Sequence, residues 1–127
     1  MIRLLFIEPD PFLALIFLKE VRRTRFDVRH AGHAEEAWRM LATEPADLIV
    51  TELVLPRQTG FEFLEELRGR EEYAQTEVAI HSRLGSRDDI NRCQELGTTN
   101  YFIKAHHRPH DVVRSLERQW AAHPSFV

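Results

Sequence analysis

With 127 residues and a formal net charge of −3, the chain is long enough for one domain with a proper core. It carries no basic block, which excludes the electrostatic footprint of a nucleic-acid binder. The lone cysteine, Cys93, excludes an internal disulfide and fits a reducing compartment, so a cytoplasmic location is expected.

In chain order, residues 2–7 are apolar and read as a buried strand, with no signal-peptide pattern before them. Asp10 is placed to cap a helix with Pro11 in its first turn, running to about Arg23. Its apolar run, residues 12–18, is far short of the roughly 20 residues that span a bilayer, so no membrane contact is expected. Residues 26–31 read as a second strand. Ala34, Ala37, Trp38 and Leu41 keep helical spacing, and Pro45 lies beyond that helix. Residues 48–51 form a third strand ending at Glu52; Leu53, Val54, Leu55, Pro56 and a short loop lead to Gly60. Phe61, Leu64 and Leu67 then mark a third helix. Residues 78–81 read as a fourth strand, and residues 87–96 as a fourth helix that stops at Gly97. Residues 101–103 are a fifth strand, and Val112, Val113, Leu116 and Trp120 stripe a last helix. One domain over residues 1–122 with a tail at 123–127 is expected. The alternation argues for an α/β fold: a doubly wound parallel sheet of flavodoxin-like strand order 2-1-3-4-5.

In such sheets ligands bind at the carboxyl ends of the strands, where Glu52 lies. Four ordered pieces belong together: Glu8 with Asp10 and Pro11; Glu52 with Leu55, Pro56 and Gly60; Ser82 after Ala79, Ile80 and His81; and Glu95, Leu96 and Gly97 before Tyr101, Phe102, Ile103 and Lys104. On these pieces nearly the whole chain resembles the receiver domain of two-component response regulators. The resemblance implies an acidic pair and an acceptor aspartate that bind magnesium, and a hydroxyl and a lysine that hold the transferred phosphoryl group. It also implies an aromatic residue, here Tyr101, that moves with Ser82 and reshapes an output face including the start of the last helix.

Three positions depart from that pattern. The second member of the acidic pair falls on Pro9, the acceptor aspartate on Glu52, and the proline usual after the lysine on Ala105. Magnesium wants near-octahedral oxygen ligation, so these losses imply a weakened metal site and no resident cofactor. Phosphoryl transfer rests on positioning and charge stabilisation, both reduced here. The expected function is therefore a degenerate receiver that signals by protein contact, with Glu52, Ser82 and Lys104 forming a closed set without phosphate. Two other readings stand beside it. In one, Glu52 and Lys104 merely neutralise each other in a relic pocket. In the other, Glu52 accepts a phosphoryl group with Glu8, Asp10 and weakly held magnesium. The expected partners are a histidine kinase or a downstream effector. A nucleotide or flavin site is disfavoured, because the loop Glu8-Pro9-Asp10-Pro11 is acidic and lacks glycine.

The first helix carries more apolar residues than one buried stripe needs. Leu13, Ile16 and Phe17 are expected to face the sheet. Phe12, Leu15 and Leu18 then form an interface for a homodimer or partner, unless Trp120 or Phe126 covers them. His106, His107 and His110 read as a solvated loop rather than metal ligands, and His81 as a packed strand residue. Cys93 has no partner expected of a catalytic thiol. Tyr101 has the alternative reading of a half-buried aromatic with its hydroxyl in water.

Overall fold

The computed structural model describes residues 1–124. The apolar runs pair into one parallel sheet of β1 (Ile2–Ile7), β2 (Phe26–Ala31), β3 (Leu48–Thr51), β4 (Glu77–Ser82) and β5 (Asn100–Ile103). Their order is β2-β1-β3-β4-β5, as the alternation predicts. The connecting helices are α1 (Pro11–Val21), α2 (Ala34–Thr43), α3 (Gly60–Gly69), α4 (Arg87–Glu95) and α5 (Pro109–Trp120). A 3₁₀ turn at Glu71–Tyr73, which no pattern announced, follows α3.

Strand alternation divides the core in two. Leu5, Ile7, Ile49, Val78 and Ile80 face a layer containing Ala37, Leu41, Leu64, Leu67 and Cys93, from α2, α3 and α4. Leu4, Phe6, Val50, Ala79 and Phe102 face Ala14, Phe17, Val21, Val113 and Leu116, from α1 and α5. Phe6 and Phe17 stack at 3.8 Å between ring centres, fixing α1 on the sheet.

Ile7 pairs with Thr51 and Thr51 with Ile80, while β4 and β5 continue together for two more residues to the Ser82–Ile103 pair, so β1, β3, β4 and β5 all end at one edge of the sheet. β4 runs one residue past its apolar pattern, because the Lys104 amide donates to the Ser82 carbonyl at 2.7 Å. Glu8, Glu52, Ser82 and Lys104 thus converge from four strands.

α1 corrects one expectation. It turns Ala14, Phe17 and Val21 inward and leaves Leu18 half-buried, while Phe12, Leu15 and Ile16 face water. Ile16 does not face the sheet, and Leu18 is not part of the outward stripe. Trp120 packs in the α1/α5 core and does not cover Phe12 or Leu15. Phe126 lies outside the described residues. No helix of the described residues is long and apolar enough to cross a membrane.

Candidate functional site

Glu52 leaves the end of β3 only 2% exposed as a residue, and Glu8 leaves β1 at 1%. Lys104 reaches between them: its Nζ lies 2.7 Å from Glu8 Oε1 and 2.8 Å from Glu52 Oε1. The Ser82 hydroxyl donates to Glu52 Oε2, and the amides of Leu53 and Val54 donate to the same oxygen at 2.6 and 3.0 Å. The Arg83 amide approaches Oε1 at 3.4 Å. Above them lies a cleft of about 420 Å³ lined by Glu8, Pro9, Asp10, Glu52, Arg83 and Lys104, among others.

The two carboxylates differ in what offsets their burial. Burial pushes Glu8 above the usual carboxylate range, and Lys104 and the Asp10 amide recover only part of that. Burial acts on Glu52 in the same direction. There, hydrogen bonds from Lys104, Ser82 and the Val54 amide outweigh it and hold the carboxyl below its usual range. Glu52 is the better-solvated anion of the pair, with protein donors replacing water.

The loop after Glu52 is tied down on several sides. A Cβ on Gly60 would stand 2.6 Å from Leu53 Cα and 2.7 Å from the Glu52 carbonyl, so only glycine lets α3 start this close to the site. Arg57 adopts φ 63°, and its guanidinium meets Glu35 of α2. The Trp38 indole donates to Gln58 at 3.0 Å, Gln58 donates to Glu66 at 2.8 Å, and Arg70, which bonds Glu66, lies over the Trp38 ring at 4.2 Å. That closed circuit pins the loop between α2 and α3.

A second chain of contacts leads outward. Ser82 Oγ accepts from the Leu84 amide at 3.1 Å, and the Leu84 carbonyl accepts from the Tyr101 hydroxyl at 2.6 Å. The Tyr101 hydroxyl therefore has a partner within the protein, and burial raises its pKa. Ser82 and Tyr101 meet through one residue of the β4–α4 loop.

Asp10 serves as the cap of α1. Its carboxylate caps α1, accepting from the amides of Phe12 and Leu13 at 2.9 and 3.2 Å, while its own amide donates to Glu8 Oε2 at 3.1 Å. Pro9 is exposed at the cleft rim and its side chain offers no ligand atom for a metal. Among the described residues no group of three His, Cys, Asp or Glu side chains is arranged to hold a metal ion. His81 lies in the α1/α5 core, with its pKa lowered to about 4 by burial, and His110 stands 3.2 Å from Glu20. His107 sets its ring edge-on to Phe102, and Cys93 is buried.

Sequence reasoning named Glu52, Ser82 and Lys104 as a set but left Glu8 to a metal-binding role. Its pairing with Lys104 depends on β1 and β5 reaching the same edge of the sheet, which side-chain types do not encode. The amide donors of Leu53, Val54 and Arg83 were missed for a plainer reason: backbone groups carry no residue signature.

Residues 4–116 match the family described as response regulator receiver domain. The two-component response regulator ORR7 of Oryza sativa subsp. japonica is 29% identical over 99 residues, covering 77% of this chain and 47% of that protein. The transcriptional regulatory protein AruR of Pseudomonas aeruginosa is 31% identical over 109 residues, covering 80% of this chain and 43% of that one. The chain thus spans about half the length or less of these two relatives. In fold it is similar to the Vibrio cholerae chemotaxis protein CheY4, with a TM-score of 0.83 at 20% identity over 93% of this chain and 98% of that one. With its strand order, its strand-end cluster and a family match over most of its length, the chain belongs to the response regulator receiver domains of two-component signalling.

Proposed function

We propose that this receiver works by protein contact without being phosphorylated, with Glu52 as a permanent occupant of the phosphoryl position. The observation that carries this reading is that Glu52 already engages both groups expected to hold a phosphoryl group, Ser82 and Lys104. Its two oxygens also take the Leu53 and Val54 amides and approach that of Arg83, which leaves little for an incoming phosphoryl donor to displace cheaply. A carboxylate carries less charge than a phosphoryl group, so the closed set fixes one conformation rather than offering a switch. The contacts Ser82–Leu84–Tyr101 relay that conformation to the β4–α4 loop and to Tyr101. A signalling partner, a histidine kinase or a downstream effector in the cytoplasm, reads the resulting surface.

The donor set does not fit magnesium. Pro9 stands where one ligand is expected, Asp10 is engaged through Oδ1 in capping α1, and Lys104 already stands between the carboxylates as their counter-charge. These positions argue against the alternative in which Glu52 accepts a phosphoryl group with weakly held magnesium. They also go beyond a relic ion pair, because Glu52 is held by Ser82 and backbone amides as well as by Lys104.

The test is incubation with a small phosphoryl donor and magnesium, followed by intact-mass measurement. The native chain is expected to gain no phosphoryl group. Glu52→Asp alone should also fail, whereas Glu52→Asp combined with Pro9→Asp restores acceptance. A stoichiometric phosphoryl gain on native Glu52 would overturn the reading.

A further inference from the structure

Two donors to Glu52, the amides of Leu53 and Val54, belong to the loop that leads to α3, so their aim depends on where that loop is held. The loop's end is joined to its beginning: the Gly60 amide donates to the Leu53 carbonyl at 2.9 Å and closes residues 53–60 into one ring. A shift within the ring therefore reaches Leu53. Inside it, Arg57 takes φ 63°, a left-handed conformation that a residue with a side chain rarely keeps unless its surroundings impose it. Two contacts with α2 hold this part of the ring, Arg57 to Glu35 at 2.6 Å and Gln58 to Trp38 at 3.0 Å. The first is an ion pair whose side chains are both more than half exposed, and such pairs hold weakly. The second is part-buried and continues to α3.

The chemistry of its two neighbours fixes the Gln58 amide in one sense. The Trp38 indole can only donate, and an ionised Glu66 can only accept. Gln58 accordingly accepts the indole N–H on Oε1 and donates from Nε2 to Glu66 Oε1 at 2.8 Å, while Arg70 donates to Glu66 Oε2. The hydrogen bonds from Gln58 and Arg70 hold the Glu66 carboxyl below its usual range, so it remains an acceptor at neutral pH. A glutamate at position 58 would still accept from Trp38 but would turn a second anion on Glu66. An asparagine there is one methylene shorter for the same span from α2 to α3. We infer that Gln58 is a positioning residue for the strand-end cluster: by bridging Trp38 and Glu66 it holds the 53–60 ring so that the Leu53 and Val54 amides stay on Glu52. This role deepens the reading of Glu52 as a permanently held anion and rests on it.

The test is amide hydrogen exchange of the chain at neutral pH, followed residue by residue by NMR. Gln58→Glu is expected to speed exchange at Leu53 and Val54 by about tenfold, while the Ile49 and Val50 amides within β3 keep their native rates. Trp38→Phe removes the indole donor but keeps an aromatic ring beneath Arg70, and is expected to act in the same way. Gln58→Glu combined with Glu66→Gln reverses the sense of the bridge, because position 58 then accepts from both Trp38 and position 66. Native exchange at Leu53 and Val54 should return. Unchanged exchange at these two amides in Gln58→Glu would overturn the inference. So would equal acceleration throughout β3, the mark of a general loss of stability, or a double variant that stays fast. The two readings fail separately: a phosphoryl gain on native Glu52 strikes the proposed function, and unchanged exchange strikes the role of Gln58.

Discussion

The strand-end cluster and the outer face of α1 invert the ordinary partition in opposite ways. In one, two carboxylates and an ammonium are withdrawn from water; in the other, three large apolar side chains are left in it. The buried charges persist because nearly every oxygen has a donor, so the cluster is closed and its cost is met inside the chain. The apolar face has nothing of the kind, so what it lacks must come from outside. A residue that breaks the inside–outside rule is therefore informative only after its neighbours are counted.

The comparison is broken most severely at Lys104. Lys104→Met leaves two buried carboxylates without a counter-charge and should cost about 3–5 kcal/mol, read from urea unfolding at neutral pH. The penalty should shrink in acid as the carboxyls take up protons. On α1 the contrast is between two phenylalanines five positions apart. Phe17→Ala, beneath the helix, should cost about 3–5 kcal/mol. Phe12→Ala, on its outside, should leave monomer stability within about 0.5 kcal/mol, and matching losses would contradict the exposed stripe.

Acid probes the buried side further. His81 is held neutral down to about pH 4, while an unfolded chain protonates it near 6.5. Its stabilising contribution is complete above 6.5 and is lost as pH falls towards 4, by about 3 kcal/mol in full. His81→Leu should flatten that limb of the stability profile. Glu52, with its pKa depressed, adds stability above the normal carboxylate range that is lost as pH falls through its folded value. Glu8, with its pKa raised, has the opposite sign: its contribution is present in acid and lost as pH rises through its folded value. The two partly offset each other, which leaves His81 as the clearer signal. A more modest loss is expected at Ser82→Ala, which removes one of several donors to Glu52 and should cost about 1–3 kcal/mol in the same unfolding assay.

The sequence carried the architecture well, because buried parallel strands are short apolar runs and each helix is announced by a cap, a proline or a periodic stripe. It also carried Glu52, Ser82 and Lys104, whose positions follow directly from strand ends. It carried less wherever a side chain's direction depends on tertiary placement. Ile16 and Leu18 exchanged roles because the run from Phe12 to Leu18 is apolar all round, so periodicity could not say which side meets the sheet. Asp10 suits both a cap and a metal ligand by residue type, and only geometry shows its Oδ1 accepting from the Phe12 and Leu13 amides. Tyr101 was ambiguous because its partner is a carbonyl, which any residue at position 84 would supply.

The circuit of Trp38, Gln58, Glu66 and Arg70 gives the molecule a built-in optical probe. The Trp38 indole is bonded to the loop that follows Glu52 and lies beneath a guanidinium, so its emission responds to any displacement of that loop. The other tryptophan, Trp120, sits at the far end of α5 in the opposite core layer. Replacing Trp120 with phenylalanine would leave a single tryptophan, selectively excited apart from the tyrosines, next to the loop that follows Glu52, with no label to attach.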